Sequence, residues 1–268
     1  MTNFREQGYV VFAKSRSDGD VRQIETWRQF PKVDCVVHLA GLTFVPDSWT
    51  NPELFISGNT MSTNHSLEYC RINNAKLIFP STYMYLTNSN MSVKETEALK
   101  PANPYALSKF LGESLCRYYS EFFGVNVAIL RPFNVYGVGQ SDRFLVPSVI
   151  RQARIGNEIK VQNSKPSRDY LYIDDLIEAI RLVVEAQFSF DVFNLGTGKS
   201  YSVEALINVL EKVVGQRLRI ISEKAERQSE IDFTQADISH ATEVLRWNPQ
   251  WSLIDGLSVI WKKSLGSC

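Results

Sequence analysis

Tyr105 and Lys109 stand four residues apart in the run Tyr105-Ala106-Leu107-Ser108-Lys109, and the hydroxyl pair Ser81-Thr82 lies upstream at the end of an apolar stretch. Four residues make about one helical turn, so both side chains project from one face. An ammonium beside a phenol favours the phenolate and lowers its pKa from about 10 toward neutrality. A tyrosine tuned that way can act as a general base, with Ser81 hydrogen-bonding the oxygen that gains or loses the proton. Such a set moves a proton while a hydride moves. On its own, Tyr-x-x-x-Lys equally describes an exposed lysine one turn from a half-buried tyrosine.

The flanking elements carry the reading further. Ala75 to Pro80 reads as a short buried strand ending at Ser81. Pro101 and Pro104 introduce a helix from Tyr105 to about Phe123, with apolar positions at Leu107, Phe110, Leu111, Leu115 and Tyr118. A hydroxyl at the carboxyl end of a strand, next to such a helix, is where open α/β sheets place their chemistry. Upstream, Tyr9–Ala13 reads as a strand, Val21–Phe30 as a short helix, Asp34–Leu39 as a second strand and Pro52–Arg71 as a helix. Val125–Leu130 is a further strand. This alternation predicts an α/β fold with a Rossmann-like, doubly wound parallel sheet. Beyond Gly137 the pattern changes to helices at Val146–Ile155, Asp174–Ala186, Val203–Val214 and Ser239–Leu245, with a strand at Glu158–Val161. The expected division is a first domain over residues 1–136 and a smaller lobe over 137–268, with segments returning to the first. Trp247 and Trp251 are expected to pack the second lobe, and His38 is expected to be a core histidine.

Composition narrows the function classes. The chain has 268 residues, 44% hydrophobic and 22% charged, an ordinary globular composition. Twenty-nine basic residues balance 29 acidic ones, so no net charge pulls toward nucleic acid or an anionic membrane. Cys35, Cys70, Cys116 and Cys268 show neither metal spacing nor a secreted pattern, and the three histidines are scattered. A cytoplasmic setting, no metal and no membrane span are expected.

Several ordered motifs resemble the extended short-chain dehydrogenase/reductases. They are Val36-Val37-His38-Leu39-Ala40-Gly41, Ser81-Thr82, Tyr105-x-x-x-Lys109, Arg131-Pro132-Phe133-Asn134-Val135-Tyr136-Gly137 and Arg168-Asp169-Tyr170. Within that group the sequence is similar to the NAD-dependent nucleotide-sugar epimerases and dehydratases, including the UDP-glucose 4-epimerase type. The resemblance implies NAD or NADP as cofactor and a nucleotide sugar as substrate, with the first domain binding the dinucleotide and the second lobe mainly substrate. It implies Tyr105 as base, Lys109 on the nicotinamide ribose and Ser81 as hydroxyl partner of the sugar oxygen. Leu39, Ala40 and Gly41 would pass close to the cofactor, with Asn59 bracing their loop and Pro132 and Phe133 beside the nicotinamide. Thr82, Asn134, Arg168 and Arg227 would meet the substrate, the arginines as diphosphate clamps. A homodimer through the Tyr105 helix and the helix before it is implied as well. Asn194 and Gly196 are expected to be structural.

One departure limits the resemblance. The family begins with a strand and a Gly-x-x-Gly-x-x-Gly turn that admits a pyrophosphate. The first glycine here is Gly8, and Gly8-Tyr9-Val10-Val11-Phe12 looks like the family's second strand. About 15–25 residues are expected to be absent, removing a central strand between those at Tyr9 and Asp34 on one side and Leu77 on the other. The favoured explanation is an enzyme sequence read without its start; the other is a short, non-catalytic sugar-nucleotide-binding form. Arg16, after the Tyr9 strand, can accommodate a ribose 2′-phosphate and so favours NADP, or can be a solvated loop arginine. Thr82-Tyr83 stand where 4,6-dehydratases carry Asp-Glu, which disfavours dehydration. The expected reaction is 4-epimerisation by transient hydride transfer, with 4-keto-sugar reduction as the alternative.

Overall fold

Short apolar strands alternating with longer helices bury both faces of a parallel sheet when each helix packs back on the strand before it. The computed structural model describes residues 2–85, 91–225 and 230–266. Its first half runs through α1 (Thr2–Glu6), α2 (Ile24–Arg28), β1 (Cys35–Val37), α3 (Val45–Thr50), α4 (Pro52–Asn73), β2 (Lys76–Pro80), α5 (Pro104–Phe123) and β3 (Val127–Pro132). The second half comprises β4 (Asn134–Tyr136), α6 (Leu145–Ile155), β5 (Glu158–Val161), β6 (Ser167–Tyr172), α7 (Ile173–Glu185) and β7 (Phe190–Leu195). After these come β8 (Ser200–Ser202), α8 (Val203–Val214), β9 (Arg219–Ser222), α9 (Ser239–Leu245) and α10 (Leu253–Leu265). The described residues form two compact units. The first holds residues up to 85 with 98–131 and 180–193; the second holds 91–97, 132–179, 194–225 and 230–266.

The first unit is built on a sheet of order β1-β2-β3-β7, with β1–β2 and β2–β3 parallel. Its core joins Leu67 and Cys70 of α4, Leu77 and Phe79 of β2, Cys116 of α5, and Val127 and Ile129 of β3. Two expectations are corrected here. Cys35 pairs directly with Lys76, so no missing strand separates the Asp34 and Leu77 strands. Tyr9–Ala13 forms no strand, and Val10 and Phe12 are 82% and 51% exposed. A run of β-formers becomes a strand only by pairing with a neighbour, and propensity alone supplies none.

Helix α5 begins where Asn103 accepts a hydrogen bond from Ala106 N at 2.8 Å, an N-cap that satisfies an orphan donor. It ends at Gly124, whose φ of 67° provides the left-handed cap. The face it buries is Tyr105, Ala106, Ser108, Lys109, Gly112, Glu113 and Cys116, whereas Leu107 and Tyr118 are exposed. The apolar stripe read from the sequence is therefore not the stripe turned inward. Close approach to β2 explains Gly112: a Cβ there would lie 2.6 Å from Phe79 Cζ. Lys76 closes the other side of the sheet, its Nζ donating to the carbonyls of Val183, Val184 and Ala186 at the end of α7.

In the second unit β4 pairs with β6, β6 with β8 and β5 with β9. Tyr136, Val149, Ile159, Leu206, Leu210 and Leu257 are among its core residues. Trp247 is buried and donates to Asp175 O at 3.0 Å, while the Asp175 carboxylate accepts from the backbone of Gln250 and Trp251. Gly112→Ala is expected to destabilise the chain by about 1–3 kcal/mol through overpacking against Phe79. A fall in the urea midpoint at unchanged slope is the measurement that checks it.

Candidate active site

All the groups expected to move the proton lie in the first unit, at the carboxyl end of β2 and on the first turns of α5. Tyr105, Lys109 and Glu113 recur every four residues, so one inward stripe carries a phenol, an ammonium and a carboxylate. Ser81 N continues the ladder to Leu130 O at 2.6 Å. The Ser81 hydroxyl donates to Glu113 Oε1 at 2.5 Å, whereas Thr82, also buried, is the hydroxyl residue that acts on Tyr105. Ser81 was expected to share the sugar oxygen with Tyr105; its hydroxyl is committed instead to a buried carboxylate, and the hydroxyl beside Tyr105 is that of Thr82.

The electrostatics also differ from expectation. Burial pushes the Tyr105 phenol up to about 12, and the hydrogen bond from Thr82 offsets part of this. The expected lowering by Lys109 is not present. Lys109 Nζ donates to Pro80 O at 2.8 Å and lies 4.8 Å from the centre of the Phe79 ring. Burial lowers the ammonium to about 8, opposed by Cys116 and Glu113. His38 is buried, stacked on Phe79 with its Nε2 3.3 Å from Ser62 Oγ, and burial holds it neutral, down at about 3.

The dinucleotide-side residues form a second group. Leu39 is 67% exposed in the loop that follows β1. Asn59 braces this loop from α4: its Oδ1 accepts from Leu42 N at 2.8 Å and its Nδ2 donates to Leu42 O at 3.0 Å. The same Nδ2 donates to Ser108 Oγ at 2.9 Å, which ties the loop to the turn carrying Lys109. A Cβ on Gly41 would lie 3.2 Å from Asn59 Oδ1, so the loop passes closest to α4 at a residue without a side chain. An ammonium has three donors and Pro80 takes one. The exposed Leu39–Gly41 loop and the Tyr105–Lys109 stripe therefore suit the nicotinamide-ribose end of a dinucleotide. No Gly-x-x-Gly-x-x-Gly turn for its pyrophosphate occurs in the 268 residues. Arg16 is exposed in a single 3₁₀ turn, Arg16–Asp18.

In the second unit Phe133 is buried, its N donating to Leu195 O at 2.8 Å, and Pro132 is half-buried. Asn134 Nδ2 reaches Asp169 O at 3.4 Å. Arg168 donates to Ser167 O at 2.9 Å and stands 3.9 Å from Glu230. Asp169 is buried, accepting from Thr197, Gly198 and Ala236, and a Cβ on Gly196 would lie 2.6 Å from its Oδ2. Arg227 lies outside the described residues. Sequence reasoning missed Glu113, Tyr85 and the role of Arg131. The available signal was spacing, since Glu113 continues the Tyr105–Lys109 stripe by one more turn.

Lys109 sets a pH signature. Its folded value of about 8 lies below the ordinary 10.5, so between those limits the unfolded chain binds more protons and stability rises with pH. Below that window the fold carries a buried charge. As pH rises from about 8 to about 10.5, the parent is expected to gain stability relative to Lys109→Met. Urea unfolding of both proteins across that range checks this, and a constant difference would contradict it.

Residues 2–196 match the NAD dependent epimerase/dehydratase family. An uncharacterized UDP-glucose epimerase from Bacillus subtilis is 31% identical over 231 residues, 84% of this chain and 72% of that protein. The GDP-6-deoxy-D-mannose reductase of Pseudomonas aeruginosa is 28% identical over 252 residues, 88% of this chain and 81% of that protein. Among solved structures, the UDP-glucuronic acid 4-epimerase of Bacillus cereus, in complex with UDP-glucuronic acid and NAD, superposes with a TM-score of 0.83 at 29% identity. That match covers 94% of this chain and 81% of the other. A Rossmann-type sheet, an inward Tyr-x-x-x-Lys stripe and a matched span of this length make the chain a member of the NAD dependent epimerase/dehydratase family.

Proposed function

We propose that this chain acts on a nucleotide sugar as an NAD(P)-dependent 4-epimerase, with Thr82, Tyr105 and Lys109 as its working groups. The observation that carries the reading is the inward stripe of α5, which buries Tyr105 and Lys109 one helical turn apart with the buried Thr82 beside the phenol. A bound nicotinamide supplies reversible hydride acceptance at the sugar carbon. Tyr105 works as the phenolate, a form that burial opposes and that positive charge at the occupied site would favour; in that form it takes the proton of the sugar hydroxyl as that carbon is oxidised and gives it back on reduction, while Thr82 hydrogen-bonds the same oxygen. Lys109 keeps donors for the ribose hydroxyls. Leu39, Ala40, Gly41 and Asn59 carry the cofactor loop, Pro132 and Phe133 flank the ring, and Asn134, Arg168 and Arg227 meet the diphosphate. Arg16 favours NADP. Residues 1–136 thus hold mainly cofactor and 137–268 mainly substrate, and the setting is cytoplasmic.

A second reading, reduction of a 4-keto sugar, is favoured by the likeness to a reductase. Dehydration has less support, because Thr82 is followed by Tyr83-Met84 rather than by two carboxylic acids. A third reading, a non-catalytic sugar-nucleotide-binding protein, retains the phosphate-binding arginines without turnover. The outward apolar residues Leu107, Tyr118 and Phe122 on α5 favour a homodimer.

Tyr105→Phe is expected to lower turnover of a nucleotide sugar by roughly 10²–10⁴-fold with nucleotide binding retained. Product analysis by chromatography, followed together with NADPH absorbance, separates the readings. Epimer formation without net NADPH consumption supports epimerisation, and stoichiometric consumption supports reduction. Binding with no turnover, unaltered by Tyr105→Phe, means a binding protein.

A further inference from the structure

Glu113 is the one member of the inward stripe that the proposed chemistry leaves unused. Its carboxylate is 6% exposed and faces Arg131, 5% exposed, on β3. Arg131 Nε donates to Oε1 at 3.0 Å and Nη2 to Oε2 at 2.6 Å. Oε1 also accepts from the Ser81 hydroxyl at 2.5 Å and the Tyr85 hydroxyl at 3.1 Å, and those two hydroxyls are 3.2 Å apart. The Arg131 guanidinium lies 5.7 Å from the centre of the Tyr85 ring. Buried ion pairs pay a desolvation penalty, and well-packed apolar replacements are often as stable. Stability alone is therefore a poor account of this cluster.

Its topology gives a better one. Ser81 and Tyr85 are the two ends of a five-residue segment, and one carboxylate oxygen holds both ends. Arg131 fixes that carboxylate to the sheet, and Glu113 itself rides on α5, two turns from Tyr105. Within the segment, Met84 N donates to Thr82 Oγ1 at 3.2 Å, and Tyr85 N donates to Tyr83 O at 2.7 Å. Tyr85 also bridges to Pro101, just ahead of α5. With both ends held, the turn between them keeps Thr82, the second residue of the segment, buried beside Tyr105.

We propose that Glu113 is a positioning residue: by pinning Ser81 and Tyr85 on one oxygen, it fixes the loop between them so that Thr82 stays on Tyr105. Arg131 orients Glu113, and Ser81 transmits the constraint to Thr82. The proposal rests on the Thr82–Tyr105 pairing used above. It assigns Ser81 a supporting task in place of contact with the sugar.

The test uses the purified full chain without cofactor. Threonine methyls are labelled with carbon-13, and the Thr82 signal is assigned with Thr82→Val. In the parent, Tyr105→Phe is expected to shift the Thr82 signal. In Ser81→Ala, which leaves the Glu113–Arg131 pair intact, the signal is expected to move or broaden and to lose its response to Tyr105→Phe. Glu113→Gln is expected to do the same, and the double variant to do no more than either alone, as for residues acting in series. On the enzyme, Ser81→Ala is expected to lower kcat by about tenfold and to leave KM within about twofold, as misplacement of a catalytic group does. A folded Ser81→Ala chain whose Thr82 signal and Tyr105 response match the parent overturns the proposal, whether or not Glu113→Gln folds. A parent Thr82 signal that ignores Tyr105→Phe overturns the hydroxyl pairing itself, and the positioning role with it. Absence of turnover, with the methyl responses as expected, counts against the enzymatic reading alone.

Discussion

Two charged side chains, Lys109 and Glu113, sit on the face of α5 that turns toward the sheet, and neither can be buried without partners. Much of the first unit supplies them. Lys109 takes the last carbonyl of β2 and the face of the Phe79 ring. Glu113 takes the guanidinium of β3 and two hydroxyls from the end of β2 and the loop after it. The helix approaches closely because Gly112, between them, has no side chain to meet Phe79. Placement of Tyr105 follows from these contacts, since it shares their stripe and is introduced by the Asn103 cap.

The second unit uses a buried carboxylate differently. Among the described residues, backbone N–H groups of Thr197, Gly198 and Ala236 and the Thr197 hydroxyl, not a cation, donate to Asp169. It thereby gathers the turn after β7 and the segment before α9 onto β6. Gly196 permits the approach, because a Cβ would collide with both Asp169 and Ala236. The neighbouring Arg168 is thus left to other work than neutralising Asp169.

Local pattern carried much of the fold. Helix α8 and strand β5 have the bounds that periodicity predicts, and α4, α5 and α6 differ by a residue or two. These elements have strong periods and clear end signals such as Pro52, Pro104 and Gly124. Pairing was less legible. The Tyr9 run has strand composition but pairs with no strand among the described residues, and the placement of β1 against β2 depends on register between distant segments. The helix face was misread for a physical reason: hydrophobic periodicity assumes that polar residues face water, and α5 buries its charged ones. The same reversal hid Glu113. Ser81 and Thr82 were recognised as a pair, but which of them is left for Tyr105 depends on which is engaged by a carboxylate 32 residues downstream of Ser81.

A lysine whose proton is held at about 8 is partly ionised in mildly alkaline buffer, so the site carries a fractional charge there. Any anionic ligand that settles near it favours the ammonium and draws a fraction of a proton from the medium. Heats of binding measured near that pH would then contain the ionisation enthalpy of the buffer. Apparent affinity would also fall with alkalinity even though no group of the ligand titrates. The burial that makes α5 costly to fold thus couples occupancy of the site to the proton activity of the solution around it.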